Sequence, residues 1–424
     1  MKIELAYGET GLVIDVPADR TTVVTPRQLD AVTDERQAVL AALRQPTAGP
    51  PLRDRVHTGQ TVAIAMCDGT RPQPRHVMIP ALLDELDGIV RPEDVVVLVA
   101  TGTHRGNTPA ELEAMLGAEA LGRVRVVNHD ARDPAALRWV GRFAGDVPVA
   151  LHRAWVDADV RITTGFVEPH FFAGFSGGPK LVAPGLAGLD TVLALHDARR
   201  IGDPRATWGV TVGNPVHDAV REIAEATGVD FALDVLLDRR HRIAEVFAGD
   251  LPAEHAAACR AARRLAMVPV PALFDVVVTT NAGFPLDQNL DQCVQGLSAG
   301  AAVVREGGSL ICAAECRDGF PDHGSYRQVL ASQPTPAALL RAIENRRATV
   351  PDQWQVQVQC RAQARARVLL HTGGLTAADL AAAHLEPAPD VAATVRDELA
   401  RLGADATLCI LPEGPQTIAY VEAP

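Results

Sequence analysis

Seven short apolar runs recur along this chain, separated by Ala-, Leu- and Arg-rich stretches of helical pattern. They are Thr61-Val-Ala-Ile-Ala-Met66, Asp94-Val-Val-Val-Leu-Val-Ala100, Arg123-Val-Arg-Val-Val127, Asp159-Val-Arg-Ile-Thr163, Asp275-Val-Val-Val-Thr279, Ser309-Leu-Ile-Cys-Ala313 and Thr407-Leu-Cys-Ile-Leu411. Strands covered on both faces read as continuous apolar runs, whereas half-solvated strands alternate. The pattern therefore predicts an α/β chain with largely parallel sheets. At 424 residues it exceeds what one ordinary core holds, so two domains are expected. Met267-Val-Pro-Val-Pro-Ala272 sets two prolines between a helical stretch (252–266) and a fresh strand. The boundary is placed there: a domain over 1–270 and a second over 271–424. Residues 2–16 alternate as a hairpin or edge strands do. Thr108-Pro-Ala-Glu111 has the form of a capping box with Pro at the first helical position. Thr376-Ala-Ala-Asp379 is a weaker start of the same kind.

Composition removes several function classes. Net charge is −12 and the arginines are scattered among acids, which argues against nucleic acid as a partner. No apolar run approaches the length of a membrane span. The N-terminal Met1-Lys-Ile-Glu-Leu-Ala-Tyr-Gly-Glu has no apolar signal core. A cytoplasmic protein without a membrane partner is expected. Seven dispersed cysteines are not a secreted disulfide framework. Cys312 and Cys316 are spaced as a metal or redox pair could be, but buried free thiols are the reading adopted.

Polar motifs follow the predicted strands. Asp68-Gly-Thr-Arg71-Pro follows 61–66, and Thr101-Gly-Thr-His104-Arg-Gly-Asn-Thr follows 94–100. Gly165-Phe-Val-Glu-Pro-His170 follows 159–163, Asn281-Ala-Gly-Phe-Pro-Leu-Asp287 follows 275–279, and Pro412-Glu-Gly-Pro415 follows 407–411. In open α/β sheets ligands bind beyond the carboxyl ends of the strands. Any one such loop is equally read as a turn; five together predict a composite site in a cleft at the strand ends.

Only two lysines are present, Lys2 and Lys180, among 40 basic residues. Lys180 ends the run His170-Phe-Phe-Ala-Gly-Phe-Ser176-Gly177-Gly178-Pro-Lys180. A lysine amine can lose its proton in a desolvated pocket and act as a nucleophile, which arginine cannot do. Codon bias sparing one lysine by chance is the alternative account. The run departs from G-x-x-x-x-G-K-[ST] at Pro179 and Leu181, so a nucleoside-triphosphate loop is not expected. Its backbone N–H groups could still cradle one phosphate. No G-x-G-x-x-G follows an early strand. His104, His170 and His196 adjoin Gly-rich or strand-end sequence, as bases or metal ligands do. Their wide spacing fits no local zinc motif. Arg71, on a strand-end loop, suits bidentate carboxylate binding as well as a surface ion pair.

These motifs together resemble the lactate racemase family, which uses a nickel-pincer nucleotide. The residues are Asp68-Gly-Thr-Arg71-Pro, Thr101-Gly-Thr-His104-Arg-Gly-Asn-Thr, Glu168-Pro-His170 through Lys180, Leu195-His196, Pro285-Leu-Asp-Gln-Asn-Leu and Asp352-Gln-Trp354. They run in order over nearly the whole chain. The resemblance implies a two-domain α/β racemase or epimerase of 2-hydroxy acids. It makes Lys180 the attachment point of a pyridinium-3,5-bisthiocarboxylic acid mononucleotide carrying nickel, held by the Ser176-Gly177-Gly178 turn. It makes His196 the protein's nickel ligand, and His104 and His170 the paired acid/bases. Arg71 would hold the substrate carboxylate, with Asp68 and Trp354 near. Cofactor-synthesis enzymes become expected partners.

One departure bears on substrate. Where typical members carry Tyr and Lys, this chain has Asp291 and Gln295; only Gln292 between them matches. A more polar pocket with less positive charge is expected, suited to a polyhydroxylated (aldonic) acid rather than lactate. Two other function classes stay open: a non-catalytic protein that binds the pincer or a phosphorylated ligand, and a metal-dependent hydrolase with Glu168 as base.

Overall fold

A computed structural model describes residues 1–27, 29–321 and 324–422. It contains two compact units. The first comprises Gln28–His196 and Arg205–Arg263; the second comprises Met1–Arg27, Asp197–Pro204 and Arg264–Pro424. The sequence placed a single boundary near 270. In the structure the N-terminal segment and a short excursion after His196 group with the C-terminal part.

The first unit is built on a six-stranded sheet. Its strands are β1 (Val62–Cys67), β2 (Val95–Ala100), β3 (Arg125–Asn128), β4 (Val160–Phe166), β5 (Phe231–Leu237) and β6 (Ile243–Gly249), in the order β6-β5-β4-β1-β2-β3. Only the β5–β6 pair is antiparallel. Both faces are covered. Ile64 and Met66 of β1, Val97 and Val99 of β2 and Ile162 of β4 pack on one side with Leu43, Met78, Ile79 and Leu82. Ala63, Ala65, Val96 and Leu98 pack on the other with Trp155, Leu195, Val220 and Ile223. Two-sided burial is why these strands read as unbroken apolar runs. Truncating a side chain such as Ile64 to alanine would cost about 2–5 kcal/mol.

The second unit has its own six-stranded sheet, all parallel. Its strands include β7 (Phe274–Thr280), β8 (Val304–Ala313), β9 (Arg367–His371) and β10 (Leu408–Leu411). The order is Glu386–Pro387, β9, β8, β7, β10, Thr21–Val23. The expected N-terminal hairpin forms, with Lys2 opposite Asp15. The proline-rich stretch at 267–272 is not a bare linker: Met267–Val270 pairs in parallel with Ile418–Val421. Pro269 is tolerated because this two-stranded ladder leaves an edge where no N–H is needed. Both capping boxes are made, at Thr108–Glu111 and Thr376–Asp379.

The strand ends fall where the motifs begin. β1 ends at Cys67 and β2 at Ala100. β4 runs three residues past the predicted end, because Thr164 and Gly165 continue the ladder onto Leu233 and Asp234 of β5. Among the described residues no helix is long and apolar enough to cross a membrane.

Candidate active site

The loop after β1 is held by buried polar side chains. The Arg75 guanidinium donates to the carbonyls of Cys67, Asp68 and Arg71. Gln73 accepts from Cys67 N at 2.8 Å and donates to Thr164 Oγ1 at 2.9 Å. Thr70 donates to Asp68 Oδ1 through both its backbone N–H and its hydroxyl. The result fixes Asp68, only 3% exposed, with its second oxygen 2.7 Å from His104 Nδ1. Burial alone would raise the Asp68 carboxyl. The His104 hydrogen bond and charge, Arg71 and Thr70 outweigh it and hold it at about 2. An ionised Asp68 makes Nδ1 of His104 the protonated nitrogen and Nε2 the basic one. Among the described residues no carboxylate lies within ion-pair distance of Arg71, whose nearest acceptors are on Thr70.

His170 lies in a two-residue strand pairing with Gly174–Phe175. Its Nδ1 accepts from Ala173 N at 3.2 Å, with Phe172 N at 3.4 Å. Its proton is therefore on Nε2. The ring stacks on Phe171 and meets Phe172 edge-on. Burial, then Lys180, Arg71 and His196, keep it well below the usual histidine range, hence neutral.

Lys180 sits in a tight turn, Gly178–Leu181. Gly177 and Gly178 have φ of +75° and +47°. A Cβ on Gly178 would come within 2.6 Å of the His255 ring. The turn admits no side chain at that position. Burial first, then the Arg71 charge, lower the Lys180 amine to about 7, against an opposing pull from Glu168 and Cys67. An amine in that range is substantially neutral near physiological pH, as a nucleophile must be. The Ser176 hydroxyl bridges Phe166 O and Glu168 N, so it secures the loop's two ends to each other. His196 closes the helix Leu189–Leu195, and its Nδ1 lies 2.7 Å from Val192 O. Val192 O accepts from Nδ1–H, which keeps the proton on Nδ1 and the ring's lone pair on Nε2, the nitrogen suited to a metal.

The first unit thus brings together Asp68, Arg71, His104, His170, Lys180 and His196. Asp291, Gln292 and Gln295 lie on the helix Leu290–Ala301 of the second unit, all half-buried along one stripe. Trp354 is on the helix Gln353–Arg365 of that unit. There Gln355 Nε2 donates to Asp291 O at 3.1 Å. Cys316 is closest not to Cys312 but to Cys293, with sulfurs 3.5 Å apart. All seven cysteines are free and six are buried. Among the described residues no three His, Cys, Asp or Glu side chains converge as a metal cage.

Sequence reasoning missed the bed beneath the lysine turn. Asn214 Nδ2 donates to Phe172 O, and His217 contacts Ala173 O. His255 contacts Ser176 O at 2.9 Å, and Asp234 accepts from Gly178 N at 2.8 Å. One signal was present: Asp234 is a lone carboxylate inside the apolar run Phe231-Ala-Leu-Asp-Val-Leu-Leu237.

Comparison with known proteins gives the same answer along the whole chain. Residues 7–209 match the lactate racemase N-terminal domain, and residues 270–419 the lactate racemase C-terminal domain. A lactate racemase of Thermoanaerobacterium thermosaccharolyticum is 32% identical over 421 residues, covering 98% of each chain. One from Lactiplantibacillus plantarum is 32% identical over 424 residues, covering 95% of this chain and 98% of its own. The solved lactate racemase apoprotein from T. thermosaccharolyticum superposes with a TM-score of 0.92 at 31% identity, over 99% of this chain and 100% of that one. A Thermotoga maritima protein shares the fold, with a TM-score of 0.66 at 19% identity over 93% of this chain and 100% of that one. With both domain families matched and full-length relatives above 30% identity, this chain belongs to the lactate racemase family and is an isomerase.

Proposed function

We propose that the chain inverts C2 of a 2-hydroxy acid other than lactate, using a nickel-pincer nucleotide anchored on Lys180. The family is nickel-dependent, and the residues present suit the group. A half-buried amine lowered to about 7 can be acylated, and the His196 tautomer leaves Nε2 as the nickel ligand. When bound, the cofactor supplies a reversible hydride acceptor.

The protein's own residues do the rest. Arg71 binds the substrate carboxylate through its fork of donors. His104, oriented by Asp68, takes the hydroxyl proton at Nε2 as the C2–H bond breaks. That avoids forming a carbanion at a carbon of low acidity. His170, neutral with its proton on Nε2, hydrogen-bonds the substrate oxygen from the opposite face, and the proton held by His104 returns to that oxygen on the return step.

The single observation that carries this reading is the 2.7 Å contact between Asp68 and His104. A carrier of the cofactor needs Lys180 and His196 but has no use for an oriented base. We assign substrate recognition to Asp291, Gln292, Gln295 and Trp354 as well, and infer a polyhydroxylated acid from Asp291 and Gln295. Sites built to hydrogen-bond hydroxyls reject analogues lacking them. The test is a panel of lactate, malate, phenyllactate and gluconate at equal concentration, followed by polarimetry or chiral chromatography after co-expression with the cofactor-synthesis enzymes. Gluconate turning over fastest supports the reading. Lactate or malate turning over fastest removes the polar-pocket argument. No turnover of any acid by cofactor-loaded protein favours the carrier.

A further inference from the structure

We propose that Asp234 and Glu254 form a proton-sharing carboxyl pair that positions the Gly177–Lys180 turn. Both side chains are buried, at 1% and 0% exposure. Asp234 projects from the middle of β5, and its Oδ2 accepts from Gly178 N at 2.8 Å. Its Oδ1 lies against two glycines. A Cβ on Gly165 would sit 2.6 Å from that atom, and one on Gly177 would sit 2.9 Å from it. The turn is therefore shaped around this carboxyl. Glu254 comes from the helix Leu251–Ala266. Its carboxyl faces the Asp234 backbone, and among the described residues neither of its oxygens, nor Asp234 Oδ1, has a hydrogen-bond partner of good geometry.

The Asp234 charge acts directly on Glu254, and two buried carboxylates that act on each other cannot both be ionised without a cation. No lysine or arginine acts on either carboxyl. Burial pushes Asp234 up to about 7, and burial with the Asp234 charge pushes Glu254 well above the carboxylate range. Four neighbouring titratable groups carry no charge at neutral pH. The Cys67 and Cys259 thiols are raised, and His217 and His255 are lowered to about 4, each chiefly by burial. A shared proton resolves the conflict and leaves Asp234 Oδ2 free to hold Gly178. The pair touches no substrate; it acts through the lysine turn.

The role of that turn in attachment rests on the function proposed above, so the test has an arm that does not. The apoprotein and Glu254→Gln are unfolded thermally from about pH 5 to about pH 8. A carboxyl raised in the folded state stabilises below its unfolded value and loses that stability as pH rises through its folded value. Glu254→Gln has no proton to lose. Its Tm should climb relative to wild type by about 2–4 °C across that window. An offset constant with pH overturns the shared proton.

In the second arm, Asp234→Asn keeps the acceptor for Gly178 N and should retain the mass increment of cofactor at Lys180. Asp234→Ala should lose it at least tenfold. Equal loading of the two variants overturns the positioning role. Should Asp234→Ala fail to fold, the Glu254→Gln profile decides alone. Absence of any increment in wild type would strike the attachment reading and leave the pair standing.

Discussion

Asp68 and His104, thirty-six residues apart and one and four residues past the ends of adjacent parallel strands, meet with Oδ2 and Nδ1 at 2.7 Å. The contact converts a half-exposed histidine into a base of defined tautomer. Asp68→Asn keeps the shape but presents an amide, and should lower kcat about 10²-fold with little change in KM. An unchanged kcat in steady-state assays of loaded protein would separate the dyad from catalysis.

The same carboxylate makes a stability prediction. Its folded value, about 2, lies below its ordinary value of 3.8. The contribution is thus present above about pH 4 and is lost as pH falls through about 2. Asp68→Asn should be about 1–2 kcal/mol less stable than wild type at neutral pH, discounted because solvent screens the exposed side of His104. Denaturant melts at neutral and acid pH would show the gap closing in acid.

Attachment at Lys180 should depend on pH in the opposite sense to protonation. Only the neutral amine attacks, so the loading rate should rise through about pH 7 and then level, following the lowered amine. Lys180→Arg should abolish the mass increment, because guanidinium stays protonated. Time-resolved intact mass spectrometry reads both. A rate flat between about pH 6 and pH 9 would contradict the lowered amine.

The three histidines should separate by phenotype. His104→Ala and His170→Ala should each lower turnover at least about 10²-fold from either enantiomer, since each cycle uses both faces. His196→Ala should instead lose nickel, measured as metal per chain. A His104→Ala enzyme of near-normal rate would remove the paired-base mechanism.

Substrate preference should move with two positions. Asp291→Tyr with Gln295→Lys restores the pattern typical of the family and should shift kcat/KM toward lactate and away from gluconate by about tenfold or more. An unchanged ratio would mean these side chains do not read the substrate.

Much of this was legible in residues that act locally. β1 and β2 are continuous apolar runs because both faces are buried, and the Thr108 and Thr376 caps use side chains three residues apart. The site histidines and Lys180 stood out through their place after strands and through lysine scarcity. What stayed hidden depends on distant partners. β4 continues through Thr164 and Gly165 because β5 supplies the ladder, not because those residues favour a strand. Met267–Val270 becomes a strand only beside Ile418–Val421. The bed of Asn214, His217, Asp234, Glu254 and His255 gathers residues from separate elements under a turn near 178, and no spacing announces it. Cys316 finds Cys293 rather than its sequence neighbour because the helix at 290–301 brings that thiol over.

Among the described residues the edge strand Thr21–Val23 takes its only parallel neighbour from Leu408–Leu411. A ribosome makes the first of these long before the second. The segment must therefore wait, unpaired, while all the residues between the two strands are produced, although domains made early generally fold early. The sheet of the second unit is completed only once Leu408–Leu411 has been made. Nascent chains halted before residue 408 should remain protease-sensitive at 21–23 even where the lysine turn is already formed.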